Sequence, residues 1–192
     1  MPNFTFDERD HAYYLYGQRI ESITETIREA GLMGDYFPDP YYMAKGSAIH
    51  DAIELHFLGK LDREKLCQPG MLDITGYVDS ALRYLDHERI EIDPNEVEIK
   101  LYDPVYLYAG RLDNLSGDWK SGAPARWHRL QVASQWNLAK VNHLDKAPNR
   151  TVYLHEDGSM ATFKEYKYLE LKQNLDTFLC ALNINRWKSN SK

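Results

Sequence analysis

The sequence predicts an α/β protein: a central mixed β-sheet flanked by α-helices. Two observations carry that expectation. Runs with apolar residues at alternate positions, around 97–121 and 151–163, read as strands, because side chains alternate faces along a strand. Longer stretches around 43–59, 71–88, 127–144 and 165–187 repeat apolar residues every three or four positions, which is helical spacing. In order they give αα–βββ–α–ββ–α, a pattern that packs helices on a sheet. At 192 residues, 43% hydrophobic and 27% charged, a single domain over 1–192 is expected.

Each element has its own justification. Phe4-Thr-Phe6 and Tyr13-Tyr-Leu-Tyr16 flank polar Asp7–Asp10 and read as a small hairpin, with a further turn at Gly17-Gln18. Ser22 or Thr24 can cap a helix running through Ile27 and Ala30 to Gly31, completing an opening segment of about 45 residues. Asp35–Tyr42, rich in proline and aromatics, reads as a loop. The helix from Met43 to Gly59 carries Ile49, Ala52, Ile53 and Phe57 as its stripe, with His50 and Glu54 beside it. After a connection containing Pro69-Gly70, Met71–Glu88 forms the next helix on Ile74, Tyr77, Val78, Ala81, Leu82 and Leu85. Glu96–Leu101 alternates as the first core strand, with Glu98 on its polar face, and Val105–Leu115 follows. Trp127–Leu144 turns Leu130, Ala133, Ser134, Leu138 and Val141 inward and places Gln131 and Gln135 one turn apart. Thr151–Leu154 and Met160–Phe163 flank a turn at His155–Ser159. The last helix, Glu165–Trp187, buries Tyr168, Leu171, Leu175, Phe178, Leu179 and Leu182, and a polar tail over 188–192 is expected to fray.

Composition bounds the function. A formal net charge of -6 argues against a protein that coats nucleic acid through a broad basic face, but leaves room for a local basic groove. No run of ~18 apolar residues is present, so no membrane partner is expected. The N-terminus lacks a basic stretch followed by an apolar core, so no secretory leader is expected and a cytoplasmic setting follows. Two cysteines, Cys67 and Cys180, cannot build a four-cysteine site, so no iron–sulfur cluster is expected. Buried free thiols are the expected state.

The chemistry concentrates in Tyr108–Gly122. Tyr106, Tyr108 and Leu112 favour a strand, Asn114–Gly117 a turn, and Asp118-Trp-Lys120 a second strand. Pairing across the turn would set Asp113 opposite Asp118, with Lys120 on the face of Asp118. Two carboxylates that close suit Mg²⁺, with waters and a phosphate completing the shell. A lysine beside the ion can orient an attacking water, which is chemistry for cutting a phosphodiester. Taken alone, a D-x-K on a strand is more often a solvated alternation, and a histidine beside an apolar helical stripe more often a satisfied side chain.

Four motifs together point further. Gly46-Ser-Ala-Ile-His50 matches G-x-x-x-H, Gly110-Arg-Leu-Asp113 matches G-x-x-D, Asp118-Trp-Lys120 matches D-x-K, and Gln131 opens a Q-x-x-x-Y helix motif. With Tyr13, Gly17 and Ser22-Ile-Thr24 ahead of them, these resemble the PD-(D/E)XK nuclease superfamily in its RecB-like and phage exonuclease branch, which includes the mitochondrial genome maintenance exonuclease. The resemblance spans about residues 4–185 and implies a restriction-endonuclease-like core. Two departures stand out: only Asn114–Gly117 separates the two acidic motifs, and Gln135 stands in place of the tyrosine.

The resemblance implies that His50, Asp113, Asp118 and the Trp119 backbone carbonyl hold one or two Mg²⁺ or Mn²⁺ ions. It implies that Lys120 orients the nucleophilic water and that Gln131 bonds nearby. Glu98 and Gln135 are secondary candidates. Arg111, Ser121 and Trp127 are expected to contact DNA, and single-stranded ends to stack on Trp119, Trp127 or Tyr41-Tyr42. The expected function is a metal-dependent DNA exonuclease in recombination, repair or phage DNA processing, with recombination or replication proteins as partners. The alternatives are a structure-selective endonuclease and a binding module on the same fold.

Overall fold

The computed structural model describes residues 3–34, 39–67 and 72–190. Strands β1 (Phe4–Asp7), β2 (Ala12–Leu15) and β3 (Gln18–Ser22) form an antiparallel meander. Gly17, at φ 78°, makes the β2–β3 turn that a side chain would strain. Phe4 stacks on Tyr13 and Phe6 packs against it at a tilt, covering one face of the meander. Strand β3 is a correction, because its residues were expected in a turn leading to a helix cap. It runs parallel to β5 (Tyr108–Leu112), pairing Glu21 with Tyr108, and so joins the N-terminal meander to the centre of the sheet. Ser22 ends the strand and caps α1 (Ile23–Glu29) in a reciprocal capping box with Glu25. Strand β4 (Ile99–Tyr102) pairs antiparallel with β5, completing a mixed five-stranded sheet in the order β1-β2-β3-β5-β4.

The second acidic motif does not join that sheet. Strand β6 (Asp118–Lys120) pairs parallel with β7 (Arg150–Tyr153), which pairs antiparallel with β8 (Thr162–Glu165). A parallel pair needs a crossover, and α4 (His128–Val141) supplies it. The expected hairpin between the strands of Asp113 and Asp118 is therefore corrected: β5 is already paired on both edges, by β3 and β4, and β6 takes β7.

Helices α2 (Pro40–Phe57), α3 (Thr75–Glu88) and α5 (Tyr168–Asn190) complete the flanks. One core packs Ile27, Tyr108, Leu112, Val132, Leu138, Phe178 and Leu182 among α1, α4, α5 and the larger sheet. A second packs Ile49, Ile53, Val78, Tyr84, Trp119 and Val152 among α2, α3 and the smaller sheet. The candidate residues lie along the seam between these two bodies.

Several boundaries move. Of the expected loop, residues 35–38 lie outside the described residues. Tyr41 and Tyr42 stand in the first turn of α2, which Asp39 caps by accepting the Tyr41 N–H, with Pro40 at the first helical position. Pro69-Gly70 and Met71 also lie outside the described residues, and α3 starts at Thr75. The last helix continues through Asn190, so the fraying expected from Lys188 is not seen up to that residue. Tyr168 is exposed rather than in the buried stripe, resting edge-on against Trp136. Both thiols are free, but exposed instead of buried. At Cys67 the preceding Leu66 takes the inward position.

Gly76 leaves no room for a side chain. A Cβ on Gly76 would lie 1.7 Å from the Glu156 carbonyl oxygen, where the β7–β8 turn meets α3. Gly76→Ala should lower stability by about 3 kcal/mol, the upper range for overpacking against backbone. Gly122→Ala, with nothing within 4 Å, should change it by less than ~0.5 kcal/mol. Urea denaturation of both variants checks this, and equal stability of the two would refute the packing argument.

Candidate functional site

Asp113 follows β5 directly, and its carboxylate fills the gap between the sheets. Its Oδ2 accepts the backbone N–H of Trp119 at 2.6 Å, a bond that a neighbouring strand would otherwise make. Its Oδ1 lies 3.3 Å from Nδ1 of His50, presented by α2 across the seam. Gly46, one turn earlier, backs onto the Ser121 hydroxyl at a distance that leaves room for a Cβ. A close backbone approach at Gly46 is therefore not what brings His50 in. Burial of Ile49 and Ile53 on either side of it does.

Glu98 completes the group. It was expected within a regular strand, on its polar face. Instead it precedes β4 with φ 54°, a left-handed conformation unusual for glutamate, while its N–H donates to the Asp113 carbonyl. That kink aims the carboxylate inward. Its Oε1 lies 3.8 Å from His50 Nδ1, and its Oε2 meets the Arg111 guanidinium at 2.5 Å. One ligand atom from each of His50, Glu98 and Asp113 lies within 4.8 Å of the others.

Asp118 sits beside this trio but is committed elsewhere. It is 1% exposed. Its Oδ1 accepts from Nε2 of both Gln131 and Gln135 at 2.9 Å, and its Oδ2 pairs with Lys120 Nζ at 2.6 Å. Asp118 and Lys120 do share a face, as the alternation implies. Gln135 also donates to the Arg111 carbonyl, tying α4 to β5. Trp119 is buried edge-on against Tyr84, so its ring is no stacking platform for DNA. Its N–H faces Asp113 rather than β7, so its carbonyl lies on the same open edge of β6, near the trio. Of the other expected contacts, Arg111 is part-exposed and holds Glu98, Ser121 is half-buried, and the Trp127 ring lies 5.7 Å from Lys120 Nζ. Tyr41 and Tyr42 are exposed.

The charges follow from burial and proximity. Burial by itself would favour neutral His50, but Asp113, with a contribution from Glu98, outweighs it and carries the imidazole pKa up to about 10. Burial pushes Glu98 up, against the pull of His50 and Arg111. Asp113 is held below the usual carboxylate range, because His50 and Lys120 outweigh its burial. Asp118 is raised, chiefly by burial and further by the Asp113 charge, despite Lys120.

The donor set suits a divalent cation: two carboxylates and an imidazole converge, with a backbone carbonyl nearby. Glu98 Oε2 and Asp118 Oδ2 are buried and, despite their short ion pairs, lack a directed hydrogen bond. A cation at the trio would draw on Glu98, while Asp118 stays with Lys120.

His128 was not singled out from the sequence. It is buried, and Nδ1 lies 3.2 Å from the Tyr153 hydroxyl. Burial first, and the Lys120 charge second, hold its pKa down to about 3. A signal was present: His128, Gln131 and Gln135 are spaced i, i+3, i+7, a polar stripe on a buried helical face. No protein-family model matches this chain, and no curated protein matches it significantly.

The raised His50 pKa gives a pH signature. A group raised from 6.5 to about 10 stabilises the fold fully below about 6.5, and that contribution is lost as pH rises through about 10. Metal-free protein should therefore melt at progressively lower temperature between these pH values, and His50→Ala should flatten that slope. A ligating histidine must be neutral, so adding Mn²⁺ at pH 7.5 should release about one proton. Calorimetry in buffers of different ionisation enthalpy measures it, and release unchanged in His50→Ala would rule His50 out as a ligand.

Proposed function

We propose that this protein is a metal-dependent deoxyribonuclease that hydrolyses phosphodiester bonds at DNA ends. The observation that carries the reading is the buried juxtaposition of the His50–Glu98–Asp113 trio with the Asp118–Lys120 pair. A cation held by the trio would supply Lewis acidity toward a phosphoryl oxygen and neutralise charge there. Mg²⁺ and Mn²⁺ both fit the oxygen-rich donor set, and the imidazole tilts the preference toward Mn²⁺.

The chain's own groups divide the remaining work. Asp118, gripped on one oxygen by Gln131 and Gln135, holds Lys120 by the other. Lys120 is thereby fixed beside the trio, where its ammonium orients a water and stabilises charge developing on a phosphate. Arg111, part-exposed at the rim, is placed to meet a phosphate of the substrate strand. With a formal charge of -6 the chain lacks a long-range attraction for DNA, so binding rests on these local contacts and should weaken steeply with salt. Among the described residues no helix is long and apolar enough to cross a membrane.

End-labelled linear DNA with Mn²⁺ or Mg²⁺ tests the reading. Wild-type protein should release nucleotides, while Lys120→Ala and Asp113→Asn should each lower kcat by at least about 100-fold. Closed circular single-stranded DNA should stay intact, and its cleavage would identify an endonuclease. Wild-type protein that binds DNA without cutting it under any metal would leave a binding module as the function.

A further inference from the structure

The wall of polar side chains behind Lys120 has a construction that helix capping does not explain. Lys120 and Tyr153 are direct partners in the parallel β6–β7 ladder, so both side chains project from the same face. Tyr153 is buried, and its hydroxyl reaches Nδ1 of buried His128 at 3.2 Å. The backbone N–H of Ala125 donates to the same Nδ1 at 3.3 Å. An atom that accepts an N–H carries no proton of its own. The network therefore assigns the ring proton to Nε2, and the Tyr153 hydroxyl is the second donor to Nδ1. Two donors sharing one acceptor accounts for both lengths being on the long side.

This arrangement fastens the connection 121–127, which leaves β6 immediately after Lys120 and enters α4. Its far end carries Trp127, whose ring lies 4.2 Å from the His128 ring and 5.7 Å from Lys120 Nζ. Lys120 is thus bounded by Asp118 on one side and Trp127 on the other. Local capping would account for the contact between Ala125 and His128, three residues apart, but not for the bond to Tyr153 on another strand. A charged His128 would lose the Ala125 bond and set a second cation beside Lys120.

We propose that the His128–Tyr153 pair is a positioning element for Lys120: it ties the 121–127 connection to β7, so that Trp127 walls the ammonium into a fixed place between itself and Asp118. This rests on the nuclease reading for its effect on turnover, but not for its effect on Lys120 itself. Asn places an oxygen where His has Nδ1, so His128→Asn keeps the acceptor while His128→Phe and Tyr153→Phe each remove one half of the bond.

The test compares the three full-length variants with wild type by turnover of end-labelled DNA with Mn²⁺, and by the side-chain NMR signals of Lys120 in metal-free, isotope-labelled protein. His128→Phe should lower kcat at least about tenfold, and Tyr153→Phe about fivefold, with KM within about twofold. His128→Asn should stay within about threefold of wild type; these changes correspond to the worth of one or two hydrogen bonds. The Lys120 signals should move in His128→Phe and Tyr153→Phe and return in His128→Asn. If His128→Phe does not fold, Tyr153→Phe, which removes a single oxygen, decides alone. Unmoved Lys120 signals in Tyr153→Phe, or a failure of His128→Asn to restore them, overturns the proposal. Wild-type protein without turnover counts against the nuclease reading only, and the Lys120 signals then decide the positioning role.

Discussion

The structure depends on one carboxylate. Asp113 follows β5, and the smaller sheet begins only five residues after it without pairing to β5. The Trp119 N–H would be left without a partner at the seam, and an unmade buried hydrogen bond costs about 1–3 kcal/mol. Asp113 Oδ2 accepts it. One side chain thereby does the work of a missing rung, and the short connection Asn114–Gly117 becomes possible. Asn114 supports it by accepting the N–H groups of Ser116 and Gly117. Once Trp119 is fixed, its ring enters the core under Tyr84, and the alternation of β6 turns Asp118 and Lys120 together to the opposite face.

The second oxygen of Asp113 gives the seam its charge. It faces His50, and the left-handed turn at Glu98 adds another carboxylate within reach. Three acids, Glu98, Asp113 and Asp118, thus share a small volume with Lys120, Arg111 and a protonated His50. At short range and reduced dielectric each pair is worth several kcal/mol before desolvation. That balance explains why the groups shift in opposite directions: Asp113, nearest the imidazole, is held down, while Asp118 is raised, first by its burial and then by Asp113 as a like charge.

Much of this was legible in the sequence, for identifiable reasons. Alternation and helical spacing are local properties, so the four long helices and the shared face of Asp118 and Lys120 could be read directly. Gly46, His50, Asp113 and Lys120 came from short motifs, whose spacing survives because each lies on one element or runs one residue past its end. What escaped depends on long-range pairing. Strand β3 is five residues whose second partner, β5, lies more than eighty positions away, and a turn with a helix cap explained the same residues equally well. The hairpin between Asp113 and Asp118 failed because sequence shows the turn but not that β3 and β4 already occupy both edges of β5. Glu98 was assigned to a polar strand face because nothing local announces a left-handed glutamate. Trp119 was taken as a stacking surface because periodicity within three residues cannot say which face of a strand is the core.

Burial decides between a solvated alternation and a built site. A D-x-K on an open strand holds its charges in water at little cost, whereas here Asp118 is 1% and Asp113 7% exposed. Burying an ionised carboxylate costs several kcal/mol even after relaxation, and its ion pair only offsets this when geometry and further hydrogen bonds are good. The fold has a use for Asp113, which closes the seam. It has no comparable use for the other two. Glu98 adopts an unfavourable backbone to point inward, and its Oε2 still lacks a directed hydrogen bond. Asp118 engages two glutamines and a lysine, and its Oδ2 is left in the same condition. An apolar pair at these positions would pack the seam at lower cost. The arrangement makes physical sense when the acids serve a cation and the phosphate it meets, and that is why the acid cluster, rather than the motif alone, supports the nuclease reading.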